Sequence, residues 1–181
     1  GEGISEPSIN KGRILARYEK DKFSFYRSIY GLKLQNDNES LYLLILGILW
    51  SSFARYYFFN TTANWGLWQH KILLSELLQL PITLNNNRKT RNVISVVNKL
   101  REYHPLEKDV MHTDGVPRNE IRTQRMEWEA ELDKVVFDLY DFSEDQRDLI
   151  RDCCEVTLPF FYQPYKSVGV MPAIDNNDIN W

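Results

Sequence analysis

The apolar positions of this chain change period as it proceeds. Over residues 12–34, "GRILARYEKDKFSFYRSIYGLKL", Ile14, Ala16 and Tyr18 alternate with other residues, "EKDK" supplies a turn, and Phe23, Phe25, Arg27 and Ile29 alternate again. Period two marks a strand with one covered face, so the segment predicts a β-hairpin. The same alternation sets Arg13 and Arg17 on the face opposite Ile14, Ala16 and Tyr18. Beyond residue 35 the pattern changes. Asn36, Asp37 and Asn38 are cap-type residues, and the chain is then apolar without a break for ten residues, Leu41 to Trp50. That predicts a central helix from about Asn38 to Phe59, packed on several sides. Crossing a bilayer takes roughly 20 apolar residues. Here Ser51, Ser52 and Arg55 interrupt the run well before that length.

The stretch "NTTANWGLWQH", residues 60–70, sets two tryptophans three apart around a glycine. It predicts a tight turn in which Trp65 packs back on the helix, Gly66 permits a positive φ, and Trp68, Gln69 and His70 face outward. "KILLSELLQLPITL" mixes a short strand, a helical turn started by Ser75 and an extended exit forced by Pro81. "NNNRKTRN" is a polar loop, and "VISVVNKLREYH" a short amphipathic helix with Val93, Val96, Val97 and Leu100 at helical spacing. Residues 105–120 hold two prolines and a glycine and predict a linker or long loop. "IRTQRMEWEAELDKVVFDLYDF" offers Met126, Leu132, Val135, Val136, Leu139 and Tyr140 to one side of a helix. "SEDQRDLIRDCCEVTLPFF" opens on the capping-box pair Ser143 and Gln146 before an apolar face of Leu149, Ile150 and Cys153.

Together these elements predict an α+β fold: a small, mostly antiparallel sheet with a basic hairpin, a central buried helix and a C-terminal helix pair. The expected organisation is a recognition-type α+β domain over 1–104, a linker over 105–120, a helical pair over 121–164 packing on that domain, and an irregular tail over 165–181.

A length of 181 residues suffices for one good-sized core, and 43% hydrophobic with 26% charged residues is ordinary globular usage. The net charge of -3 conceals an asymmetry. Residues 11–35 carry seven cations against two acids, a net of +5, whereas residues 120–155 carry twelve acids against five bases, a net of -7. A basic front offers one face to a polyanion, although such charges also serve as a solvated surface. Cys153 and Cys154 are adjacent, a spacing that strains a mutual disulfide and leaves no CxxC metal pattern, so a reduced, cytoplasmic protein is expected. "GEGISEPSIN" lacks the charged start and apolar run of a signal peptide.

Several chemistries are missing from the chain. No two prolines adjoin, so the Asn/Asp-Pro-Pro-aromatic loop that holds an exocyclic amine in amino-methyltransferases is absent. No glycine-rich turn follows a strand to cradle a nucleotide or S-adenosylmethionine. His70, His104 and His112 lack HExxH spacing, and no lysine has an acid two residues before it, as metal-dependent nucleases require. No catalytic, cofactor-binding or metal-binding residue is therefore assigned. Lysine and arginine can instead neutralise phosphates, and Arg, Gln and Asn can read base edges. Tyr18, Phe23, Phe25, Tyr26 and Tyr30 fit a sheet core better than a base-stacking platform.

The order "GRILARYEKDKFSFYRSIYGL", "LLILGILWSSFARYYFFNTTANWG", "ILLSELLQLPI" and "ELDKVVFDLYDFSEDQRDLIRD" resembles the C-terminal part of N6-adenine DNA methyltransferases of type II-like restriction-modification systems. Thr61, Thr62, Trp65 and Gly66 match the family's turn, whereas Leu67, Trp68, Gln69 and His70 depart from it. Type I specificity subunits share a looser version of the helix and the "LPI" segment. The resemblance implies a target-recognition domain that docks double-stranded DNA for a methyltransferase domain using S-adenosylmethionine. The catalytic half is missing here, so the chain is expected to be a fragment of a longer methyltransferase, or a separate subunit with a catalytic partner. The expected DNA contacts are Lys11, Arg13, Arg17, Lys20, Lys22 and Arg27, with Trp68, Gln69, His70, Arg88, Lys89 and Arg91 behind them. The alternative is a protein-interaction or scaffold module, or a type I-like specificity subunit, without catalysis of its own.

Overall fold

The apolar run after Asn38 folds as two helices, not one. In the computed structural model, which describes residues 14–22, 24, 29–63, 72–84, 87–103 and 118–162, α1 spans Glu39–Trp50 and α2 spans Ser52–Thr61. Asn38 caps α1, its Oδ1 accepting from the Leu41 N–H at 3.4 Å. The chain turns by 67° at Ser51, which is extended at φ -75° and ψ 162°. Two donors serve the Ile48 carbonyl at the break: the Ser51 N–H at 3.2 Å and the Ser51 hydroxyl at 2.7 Å. The start of α2 is capped from far along the chain, since Asp133 accepts from the Ser52 N–H at 2.6 Å and from the Ser52 hydroxyl at 2.5 Å. A carboxylate at a helix N-terminus satisfies orphan donors and complements the helix dipole.

The other elements are α3, Leu74–Leu77; α4, Asn87–Tyr103; α5, Arg118–Leu139; α6, Glu144–Asp152; a π-helical turn, Cys153–Thr157; and α7, Leu158–Tyr162. Lys99 pairs with Glu131 and Lys89 with Asp141, so α4 and α5 run antiparallel. Helix α1 crosses both at Gly47. A Cβ there would lie 2.6 Å from Val93 Cγ1, 2.7 Å from Val97 Cγ2 and 3.6 Å from Leu132 Cδ1. Leu44, Ile48, Phe58, Val93, Val97 and Val136 sit in the core that this crossing creates. Helix α5 ends in a Schellman turn: the Phe142 N–H reaches Phe137 O at 3.2 Å and the Asp141 N–H reaches Asp138 O at 3.3 Å. Asp141 occupies the left-handed position of that turn, at φ 55°. Ser143 and Gln146 then start α6 with reciprocal bonds of 2.9 and 3.4 Å, the expected capping box.

The expected α+β fold is overturned. Among the described residues there is no strand, only an isolated bridge at Ile14, and hence no sheet carrying a basic hairpin. The alternation over 14–18 has another cause. The segment lies in extended form along α1, burying Ile14 and half-burying Ala16 and Tyr18, while the Trp50 indole N–H donates to the Ala16 carbonyl at 3.1 Å. Period two reports one covered face whether the cover is a sheet or a pair of helices. Smaller corrections follow the same logic. Residues 87–92, read as loop, form the first turns of α4; Met126 and Leu149, read as apolar-face residues, are exposed, while Phe137 is buried. The helical turn starts at Leu74, not Ser75, and the expected strand is not found in the described residues before it. The Trp turn at 64–71, most of the 105–120 linker and the tail beyond 162 lie outside the described residues.

No single helix among the described residues is long and apolar enough to cross a membrane. Helices α1 and α2 reach that length and composition only together, across their sharp bend.

Candidate nucleic-acid interface

The expected phosphate contacts fall into two groups. Arg17, Lys20 and Lys22 project from the extended segment, all exposed, beside the N-terminal half of α1. Arg17 pairs with Glu19 at 2.8 Å, and Lys20 with Glu39 at 2.7 Å. The hydrogen bond and the charge of Glu39 push the Lys20 ammonium above its ordinary value, so it stays charged. Tyr18 anchors this segment: its ring stacks on Tyr42 at 5.2 Å, and the Arg101 guanidinium lies 5.3 Å from its centroid. Arg101, in the last turn of α4, thus joins the basic cluster without having been expected there. Its sequence signal was position alone, a cation off the valine stripe of α4.

Arg88, Lys89 and Arg91 lie in the first turns of α4, at its opposite end. Lys89 and Arg101 are separated by about 18 Å along the axis, at about 1.5 Å per residue. The structure therefore does not unite Arg17 and Lys20 with Arg88 and Lys89 in one patch. The second group borders an open groove of about 410 Å³ between α4 and the α5–α6 turn, where Arg88, Lys89 and Asn92 face Asp138, Asp141 and Arg147. Lys89 pairs with Asp141 across it. Arg147 is held rigidly, donating to the Phe142 carbonyl and to Asp138 Oδ1, each at 2.9 Å. Lys11, Arg13, Arg27, Trp68, Gln69 and His70 lie outside the described residues.

Where α2, α5 and the π-helical turn meet lies a buried polar cluster that sequence reasoning passed over. Ser52 bonds Asp133, Arg55 Nη2 donates to Ser52 Oγ at 2.6 Å, and the Cys154 thiol donates to the Ser52 carbonyl at 3.4 Å. Arg55 is only 7% exposed. Burial pushes the Cys154 thiol up to about 11 and raises Cys153 as well. Such thiols are poor nucleophiles near neutral pH. The cluster fastens α2 to α5 and to the π-helical turn; it is a brace, not a reaction centre.

Comparisons with protein-family models, with curated proteins and with solved structures find no match to this chain.

Proposed function

We propose that this chain is the DNA-recognition part of an S-adenosylmethionine-dependent N6-adenine DNA methyltransferase of a restriction-modification system. It holds double-stranded DNA while a catalytic domain, in the same chain or in a partner subunit, methylates the adenine. The cofactor belongs to that catalytic domain, because no glycine-rich turn after a strand exists here to hold it. One observation carries the reading. The stretches that resemble the family touch one another in the fold: Ser52 of "SSFARYY" donates to Asp133 of "ELDKVV" and accepts from Arg55. Tyr57 donates to the Gln79 carbonyl at 2.8 Å, and Tyr140 of "DLYDF" donates to the carbonyl of Pro81 in the "LPI" segment.

The test is fluorescence-anisotropy binding of the full chain to random duplex DNA across a salt titration. Phosphate-mediated binding weakens by roughly 10³ to 10⁵ between 50 and 200 mM salt for 6 to 10 contacts. Salt-independent binding, or none at either salt, counts against the proposal. A second reading, a protein-contact module or a type I-like specificity subunit, draws on the exposed apolar side chains of α3 and α7. Leu74, Leu78, Phe160 and Phe161 are all exposed, Leu78 at 65%.

A further inference from the structure

The groove between the start of α4 and the α5–α6 turn combines three features. It is concave, about 410 Å³, and within the range of about 300–1,000 Å³ that small-molecule sites occupy. Cations from two different helices, Arg88 and Lys89 of α4 and Arg147 of α6, converge on it with the Asn92 amide. The Arg147 guanidinium is fixed by the Phe142 carbonyl and Asp138. A carboxylate also enters from a position that suits it poorly. Asp141 sits at the left-handed residue of a Schellman turn, where glycine is the ordinary choice. Its side chain is 82% exposed, yet it reaches back to a Lys89 that is only 27% exposed. Asp141 thus sets an anion beside a half-buried cation of the groove.

We propose that this groove binds a phosphodiester of the DNA backbone, and that Asp141 is a built-in counter-anion which the phosphate displaces from Lys89. The inference rests on the DNA-recognition reading and deepens it. In the free protein Asp141 and Asp138 offset two of the three cations that line the groove. On docking, a phosphate oxygen takes the carboxylate's place beside Lys89, with Arg88, Asn92 and Arg147 within the same groove. An exposed ion pair stabilises by about 0.2–1 kcal/mol, so the exchange costs little and tunes affinity without blocking it.

Asp141→Asn tests this directly. Asparagine tolerates the left-handed conformation and keeps the shape, and it removes only the charge. The variant should bind random duplex about twofold to fivefold more tightly than the parent at low salt, the fold-change equivalent of that ion-pair energy. Lys89→Ala should weaken binding and lower the salt slope by about 1. A second arm titrates inorganic phosphate into the full chain and follows amide and side-chain NMR signals. Shifts at Arg88, Lys89, Asn92 and Arg147, larger in Asp141→Asn, support the anion site. If the parent binds DNA and Asp141→Asn and Lys89→Ala change neither affinity nor slope, the inference is overturned and the recognition reading stands. Phosphate shifts without any DNA binding would assign the groove to a free phosphate, overturning both the DNA source and the recognition reading. Absence of shifts in both proteins overturns the site itself.

Discussion

Gly47→Ala isolates the contact on which the helix crossing depends. The added methyl would lie 2.6 Å from Val93 Cγ1 and 2.7 Å from Val97 Cγ2, both well inside van der Waals contact. Neither valine can swing away cheaply, because both are fully buried and a β-branched side chain in a helix has one strongly preferred χ1. Displacing each from its rotamer costs about 0.5–1.5 kcal/mol, which agrees with the 1–3 kcal/mol typical of an overpacked core. Against this stands the helix propensity of alanine, better than glycine by about 1 kcal/mol. The difference is a net destabilisation of about 0–2 kcal/mol, where an uncrowded site would be stabilised by about 1. Urea unfolding followed by far-UV circular dichroism measures it, and the same loss should lower Tm by about 2–4 °C per kcal/mol in a protein of this size. A double-mutant cycle with Val93→Ala should return a coupling of at least about 0.5 kcal/mol, since the smaller partner makes room for the methyl. Gly47→Ala stabilised by a full kcal/mol, with no coupling to Val93, would refute the close approach of α1 and α4.

Three other outcomes are expected. Asp133→Asn should lower stability by about 1.5–3 kcal/mol in urea melts, because the Ser52 N–H and hydroxyl lose a charged acceptor; a change under about 0.5 kcal/mol would remove the brace from the account. Cys154, raised from 9.0 to about 11 by burial, contributes stability that is present below pH 9 and is lost as pH rises toward 11, since the unfolded thiol ionises first. The alkaline limb of a pH–stability curve should flatten in Cys154→Ala, and an identical limb would show that other groups set it. Arg17→Ala should leave Tm essentially that of the parent yet reduce the DNA salt slope by about 1; an unchanged slope removes Arg17 from the interface.

Helix-forming stretches with clear punctuation were legible from sequence because their information is local. Ser143 and Gln146 carry their own capping chemistry, and the spacing of Val93, Val96, Val97 and Leu100 needs no partner to be read. What escaped was set by distant residues. The helix start after the break is capped by Asp133, 81 residues beyond Ser52, and no local window contains that carboxylate. The extended segment over 14–18 looked like half a hairpin because alternation records the covered face and not the covering element. The site followed the same rule. Arg17 and Lys20 could be picked out by charge, but that Arg88 and Lys89 lie far from them depends on Tyr18 docking beside Arg101 at the other end of α4.

Ser52, Arg55 and Asp133 at the bend, and Tyr57 and Tyr140 against the carbonyls of Gln79 and Pro81, hold the helices together. In the proposed recognition module this frame would aim the segments that contact DNA. Two consequences can be separated by experiment. Substitution in the frame, as at Asp133, should lower stability and DNA binding together. Substitution at the exposed Arg17 or Lys20 should alter binding alone, because a solvent-screened surface ion pair such as Lys20–Glu39 adds little to the fold. Were Arg17 and Lys20 variants to bind DNA like the parent while exposed apolar residues of α3 or α7 proved essential for capture of a methyltransferase subunit, the frame would be aiming a protein contact instead.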